Sequence, residues 1–192
     1  GRGRGPRQAH RRAAGAAPPG VEVRLEGEGV TRTLAQLVGR LAGLRRGDCY
    51  LVRGPVGAGK SVFCRALVQT LLRDPDLVVP SPTFTFVNAY DAPEAGLTLH
   101  HFDLYRLEGL EEGKRRLIGL DAALAGGVTI VEWPEYLGAR EGPENYLEIA
   151  LEGASGGAEE GHVRRAALTA SGARWAEVAA GIRALLEGGG RT

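Results

Sequence analysis

The chain has 192 residues, 43% hydrophobic and 24% charged, which suits one soluble globular domain with a sizeable core plus tails. No apolar run approaches the ~20 residues of a membrane-spanning helix, so a spanning segment is excluded. No acid precedes Glu22, whereas five arginines do (Arg2, Arg4, Arg7, Arg11 and Arg12), and setting these aside takes the net charge from +1 to −4. That balance argues against a general nucleic-acid binder and routes any role on RNA through a partner.

Residues 1–20 are rich in Arg, Ala, Gly and Pro, lack hydrophobic periodicity and read as a disordered basic tail. An acid-free, Arg-rich start also describes an organelle transit segment, although serine is absent from it. The expected compartment is the cytoplasm, with plastid or mitochondrion as the alternative. Residues 21–187 read as a single domain, and 188–192 as a frayed end. Val21 to Leu25 alternates apolar and polar, as a half-buried strand does. Thr31 or Thr33 is then expected to cap a helix presenting Leu34, Leu37, Val38, Leu41 and Leu44 on one face.

Cys49 to Arg53 is an apolar strand that runs into Gly54-Pro55-Val56-Gly57-Ala58-Gly59-Lys60-Ser61, and a helix to about Arg73 follows. Gly54, Gly59, Lys60 and Ser61 satisfy the phosphate-loop pattern G-x-x-x-x-G-K-[ST]. Glycines let successive backbone N–H groups of Gly57, Ala58, Gly59 and Val62 turn toward phosphate oxygens, and the helix dipole adds to the same point. Lys60 would reach the β- and γ-phosphates, and the Ser61 hydroxyl would ligate Mg²⁺. A chance match in a chain with 30 glycines is disfavoured, because Lys60 and Lys114 are the only lysines. Cys49 and Cys64 lack metal-site spacing and read as buried thiols in a reducing compartment.

Phe84 and Phe86 are expected in a strand paired with Leu97 to Asp103 as a hairpin across residues 91–96, and Glu108 to Leu124 as a helical stretch. Val128 to Glu132 reads as a buried parallel strand. Two more strands follow at 146–151 and 165–170, around a Gly-rich acidic loop at 152–161. A helix over 174–187 would turn Trp175, Val178, Ile182 and Leu185 inward. Strands alternating with helices predict an α/β fold, with a mostly parallel sheet flanked by helices and extended by an antiparallel hairpin.

Hydrolysis or transfer needs carboxylates beside the metal, and Asp103 and Glu132 both end apolar runs. Either could hold Mg²⁺ while the other orients the attacking water. Trp133 could stack on adenine or sit in the core. The hydroxyls of Ser81 and Thr83 on a Pro-stiffened loop could sense the γ-phosphate. His100 and His101 face opposite sides of a strand, so one of them positioning Asp103 is preferred over a metal pair. Neither lysine follows an Asn, which leaves no N-K-x-D guanine segment and favours ATP over GTP.

Gly54 to Ser61, Ser81-Pro-Thr-Phe84 with Tyr90, His101-Phe-Asp-Leu-Tyr-Arg-Leu107, Gly119-Leu120, Val131-Glu-Trp-Pro-Glu135 and the strand from Arg165 together resemble the TsaE family. These are small P-loop ATPases of tRNA threonylcarbamoyladenosine synthesis, and the resemblance spans about 21–172. It implies ATP and Mg²⁺ in the loop, Ser61 and Glu132 on the metal, and Asp103 as an acid essential for turnover. Thr33 would lie near the adenine with Trp133, and Arg165 among the nucleotide-binding residues. It also implies TsaD-like and TsaB-like partners that act on adenosine 37 of tRNA, so that tRNA is met only indirectly, and a hydrolysis cycle that resets that assembly. Pro55-Val56 and Ser61 depart from the family's usual acid-Leu and Thr. Two alternatives stay open: a small-molecule P-loop kinase, with Arg115-Arg116 as its weak lid candidate, and a non-hydrolysing ATP-gated binding subunit.

Overall fold

The computed structural model describes residues 20–107, 112–137, 142–153 and 164–188. The expected basic tail, apart from Gly20, most of the acidic loop and residues 189–192 lie outside the described residues. In β2 (Cys49–Arg53) the side chains alternate between two cores. Tyr50 and Val52 join one cluster, Cys49 and Leu51 the other. The larger cluster lies beneath α1 (Glu28–Ala42), α2 (Lys60–Leu71) and α5 (Ala173–Gly188). The smaller one lies beneath α4 (Leu120–Gly126), which follows α3 (Glu112–Leu117). Burial on both faces explains why β2 reads as an unbroken apolar run.

Among the described residues seven strands form one sheet in the order β1-β7-β6-β2-β5-β4-β3. Here β1 is Val21–Leu25, β3 Val87–Ala92, β4 Leu97–Asp103, β5 Val128–Glu132, β6 Tyr146–Glu152 and β7 Arg164–Ser171. The central four, β6, β2, β5 and β4, are mutually parallel, while β3, β7 and β1 add antiparallel edges. This is the mixed α/β architecture expected, hairpin included. The parallel register brings Val52, Glu132 and Asp103 side by side at the C-terminal ends of three neighbouring strands, where α/β sheets bind ligands.

Several local expectations are corrected. Neither Thr31 nor Thr33 caps α1. Gly27 does, and both threonines lie inside the helix, bonding back to the carbonyls of Gly27 and Gly29. Leu41 and Leu185 are partly exposed, at 39% and 54%, because α1 and α5 bury narrower faces than their leucines suggest. Phe84 and Phe86 precede β3, in a turn closed by the Pro82 carbonyl, and Phe84 is 79% exposed. The stretch before β5 is not one helix, since Gly119, at φ 69°, separates α3 from α4. The start of α5 is tied to the α1–β2 turn by Arg174, which donates to both Asp48 oxygens (2.8 and 2.6 Å) and to the Ala42 carbonyl. The Asp48 carboxylate raises the Arg174 pKa, chiefly through these hydrogen bonds.

Candidate nucleotide site

The loop between β2 and α2 takes its shape from glycines. Gly54 has φ 143°, and a Cβ there would run into the Leu151 carbonyl oxygen of the neighbouring strand. Gly59, at φ 102°, occupies the left-handed region immediately before α2, where its carbonyl accepts from the Phe63 N–H. Lys60 opens the helix. Its ammonium donates to the carbonyls of Gly54 (2.7 Å) and Pro55 (2.9 Å), and the Trp133 ring centroid lies 3.6 Å away. Such a cation–ring contact contributes roughly 0.5–2 kcal/mol. Burial lowers the Lys60 pKa, while Glu132, Glu135 and Asp103 oppose the shift. Pro55 has no N–H to offer, and its carbonyl instead accepts from both Lys60 and Ala58.

Two carboxylates converge on this lysine from the strand ends, both almost fully buried. Glu132 lies between α2 and β4. One oxygen is 3.4 Å from Ser61 Oγ and the other 3.0 Å from His101 Nε2. Asp103 accepts from Thr83 Oγ1 (2.7 Å) and from the Tyr105 N–H (3.0 Å), and Thr83 is paired with Ser81 at 2.8 Å. The histidine expected to position Asp103 therefore sits on Glu132 instead. His101 occupies the strand face shared with Glu132, whereas His100 turns to the other side and stacks on Phe102. Burial lowers the His100 pKa.

Trp133 packs against the smaller core and is not free. It is half-buried, has φ 60°, and stands between Lys60, Tyr105 (4.7 Å) and Tyr136 (6.4 Å). A positive φ on a large aromatic residue is strained backbone, here directly after Glu132. Thr33 is exposed on α1; the α1 side chain closest to Gly59 is Thr31. Arg165 is exposed in β7, while the guanidinium of its neighbour Arg164 approaches the loop, 3.5 Å from where a Gly59 Cβ would lie. Arg115 is no lid: it is buried and committed to Asp121 (2.6 Å) and the Leu137 carbonyl (2.6 Å). A cavity of about 590 Å³ between the β3–β4 hairpin and α4 is lined by His100 but by none of Lys60, Ser61, Asp103, Glu132 or Trp133.

Sequence reasoning missed three neighbours. Arg164 is one; its place depends on the loop's approach to β7. Cys64 is another: it lies within 4.8 Å of His101 and Glu132 ligand atoms, and its spacing of four from Lys60 was a usable signal for a shared helix face. The third is the His101–Glu132 pairing: the two-residue spacing puts His101 and Asp103 on one strand face, but only the β4–β5 register brings Glu132 to it. Chemically, the set combines a buried cation held by backbone carbonyls, a hydroxyl–carboxylate pair of the oxygen type that hard divalent cations prefer, and a second, separately held acid.

The model of the family described as "Threonylcarbamoyl adenosine biosynthesis protein TsaE" matches residues 26–161. A Streptomyces coelicolor protein named tRNA threonylcarbamoyladenosine biosynthesis protein TsaE is 36% identical over 135 residues, covering 69% of this chain and 86% of that protein. A Rickettsia conorii protein of the same name is 34% identical over 113 residues, 59% of this chain. The match spans only 61–63% of the length of that relative and of two further Rickettsia relatives. A crystal structure of Bacillus subtilis YdiB shares the fold, with TM-score 0.62 and 24% identity over 85% of this chain and 93% of that one. The phosphate loop, the two strand-end acids and the family match agree: this chain belongs to the TsaE family.

Proposed function

We propose that this chain binds ATP with Mg²⁺ at the Gly54–Ser61 loop and hydrolyses it to drive or reset the assembly that adds threonylcarbamoyl to adenosine 37 of tRNA. The observation that carries this reading is the convergence of Lys60, Ser61, Glu132 and Asp103 at the ends of adjacent parallel strands. The residues fit the groups they would hold. Gly54 packs against the Leu151 carbonyl where no side chain could stand, and Gly57 and Gly59 have positive φ, so glycines give the loop the tight turn that a phosphate cradle needs. Ser61 and Glu132 supply the oxygen donors that would hold Mg²⁺. Mg²⁺ held there would supply neutralisation of the charge that develops on the phosphate oxygens.

The chain's own groups account for the remaining roles. Lys60 binds the β- and γ-phosphates, and Trp133 covers its ammonium against water. Backbone N–H groups of Gly57, Ala58, Gly59, Ser61 and Val62 orient the phosphate chain. Asp103 positions the attacking water and takes its proton, with its carboxylate oriented by Thr83 and the Tyr105 N–H. Thr33, Trp133 and Arg165 stay the candidates for the rest of the nucleotide. The partners are TsaD-like and TsaB-like proteins of the cytoplasm, through which tRNA is met.

The deciding experiment is ATP hydrolysis by the purified chain, alone and with a TsaD–TsaB pair. Stimulation by the pair is expected, with nucleotide binding and turnover both abolished in Lys60→Ala. Activity indifferent to the pair would keep the nucleotide site but defeat the partner assignment.

A further inference from the structure

Directly beneath the hydroxyl–carboxylate pair lies a second group of ligands. Cys64 follows Ser61 by three residues on α2, so the two share a helix face one turn apart. Its thiol, a His101 nitrogen and a Glu132 oxygen all lie within 4.8 Å of one another, and all three residues are buried. Thiolate, imidazole and carboxylate are ligands of a tetrahedral Zn²⁺-type ion, whose ligand atoms stand about 3.5 Å apart, given metal–ligand bonds of 2.0–2.3 Å. The His101 Nε2–Glu132 Oε1 pair, 3.0 Å apart, is already close to that spacing. The other ring nitrogen of His101, Nδ1, is buried with no hydrogen-bond partner among the described residues, so the Nε2–Glu132 contact alone fixes the ring.

We infer that Cys64, His101 and Glu132 form a site for one thiophilic divalent cation of the Zn²⁺ class, and that this cation competes with Mg²⁺ by engaging Glu132. Binding expels the Cys64 thiol proton to solvent; one thiolate and one carboxylate then balance the ion's two charges, so no net charge is buried. The neutral imidazole is the third ligand. The site rests on these three side chains alone, whereas the competition rests on the proposed Mg²⁺ role of Glu132.

The test titrates the full chain with Co²⁺ and reads thiolate-to-cobalt charge-transfer absorption in the near ultraviolet. One equivalent should produce the band, and Zn²⁺ should displace it. Cys64→Ser should abolish the band and weaken Zn²⁺ binding by about tenfold or more, since even outer-shell losses reach that size. The other cysteine, Cys49, is buried in the opposite core, so a band that survives Cys64→Ser overturns the proposal. Absence of a band in the unmodified chain at saturating Co²⁺ overturns it without any variant. Separately, Zn²⁺ should weaken Mg²⁺-dependent nucleotide binding in the unmodified chain but not in Cys64→Ser. An intact band without that effect defeats the competition alone. Nucleotide binding that ignores Mg²⁺ altogether would instead defeat the proposed Mg²⁺ role of Glu132.

Discussion

Glu132 and Asp103 are register neighbours at the ends of β5 and β4, yet different kinds of structure hold them. Glu132 is gripped by Ser61 at the start of α2 and by His101 within β4, both on regular elements of the larger core. Asp103 is held on one side by Thr83, a loop residue whose own partner, Ser81, is exposed, and on the other by the Tyr105 backbone. A carboxylate anchored in the core keeps one geometry. One held through a solvent-facing loop can change geometry if that loop moves. On the proposed reading the fixed acid suits metal binding and the adjustable acid suits control of turnover.

The largest expected effect falls on the adjustable acid. Asp103→Asn should leave nucleotide affinity in place and slow hydrolysis by roughly 10²–10⁴, the usual worth of a general base. Partner-stimulated turnover beside a nucleotide titration checks this, and unchanged turnover would remove Asp103 from the chemistry. Next is Glu132→Ala, which should weaken Mg²⁺-dependent nucleotide binding on the order of 100-fold, about 2.8 kcal/mol, with much less effect when Mg²⁺ is chelated. Equal losses with and without the ion would erase the distinction between the two acids.

The grip on Glu132 has a stability signature that the grip on Asp103 lacks. His101→Ala leaves a buried carboxylate short of one partner and should cost about 1–3 kcal/mol by denaturant unfolding. It should also weaken Mg²⁺-dependent binding by about 10–100-fold, as loss of a supporting contact does. His101→Gln, which can still donate to Glu132, should recover part of both, a pattern that generic core damage would not produce.

The same contrast explains what the sequence disclosed. Glu132 was legible because it ends a continuous apolar run, and Lys60 and Ser61 because the phosphate-loop spacing dictates the turn. Both signals are local. The partners were less legible because they depend on pairing across the sheet. Which histidine meets which acid follows from β4–β5 register, and that register places Asp103, not His101, opposite Glu132. His101 then reaches Glu132 along the shared strand face. Phe84 and Phe86 alternate as strand residues do, yet the turn closed on the Pro82 carbonyl delays β3 until Val87, and Phe86 adopts φ 64°. Alternation cannot see a turn set by its neighbours' hydrogen bonds. The sequence leaves Trp133 between adenine and core, and its place over Lys60 needs the strained turn after β5 that no pattern announces.

The smallest effect is the most discriminating. Thr83→Val keeps the shape of the side chain and removes only the hydroxyl that donates to Asp103. A net hydrogen bond is worth about 0.5–1.5 kcal/mol, and beside an exposed loop water can replace much of it, so global stability should barely change. If Asp103 must be oriented for each turnover, the same substitution should slow hydrolysis by up to about tenfold, equivalent to roughly 1.4 kcal/mol of barrier. Affinity for nucleotide should stay the same, because neither residue is part of the Lys60–Ser61–Glu132 grip. A drop in stability comparable with that of His101→Ala, without a change in turnover, would mean that the loop is as fixed as the core and that the two acids are held alike. Slower turnover on an equally stable fold would locate the control of hydrolysis in the Ser81–Thr83 segment, on the side of the site that faces solvent.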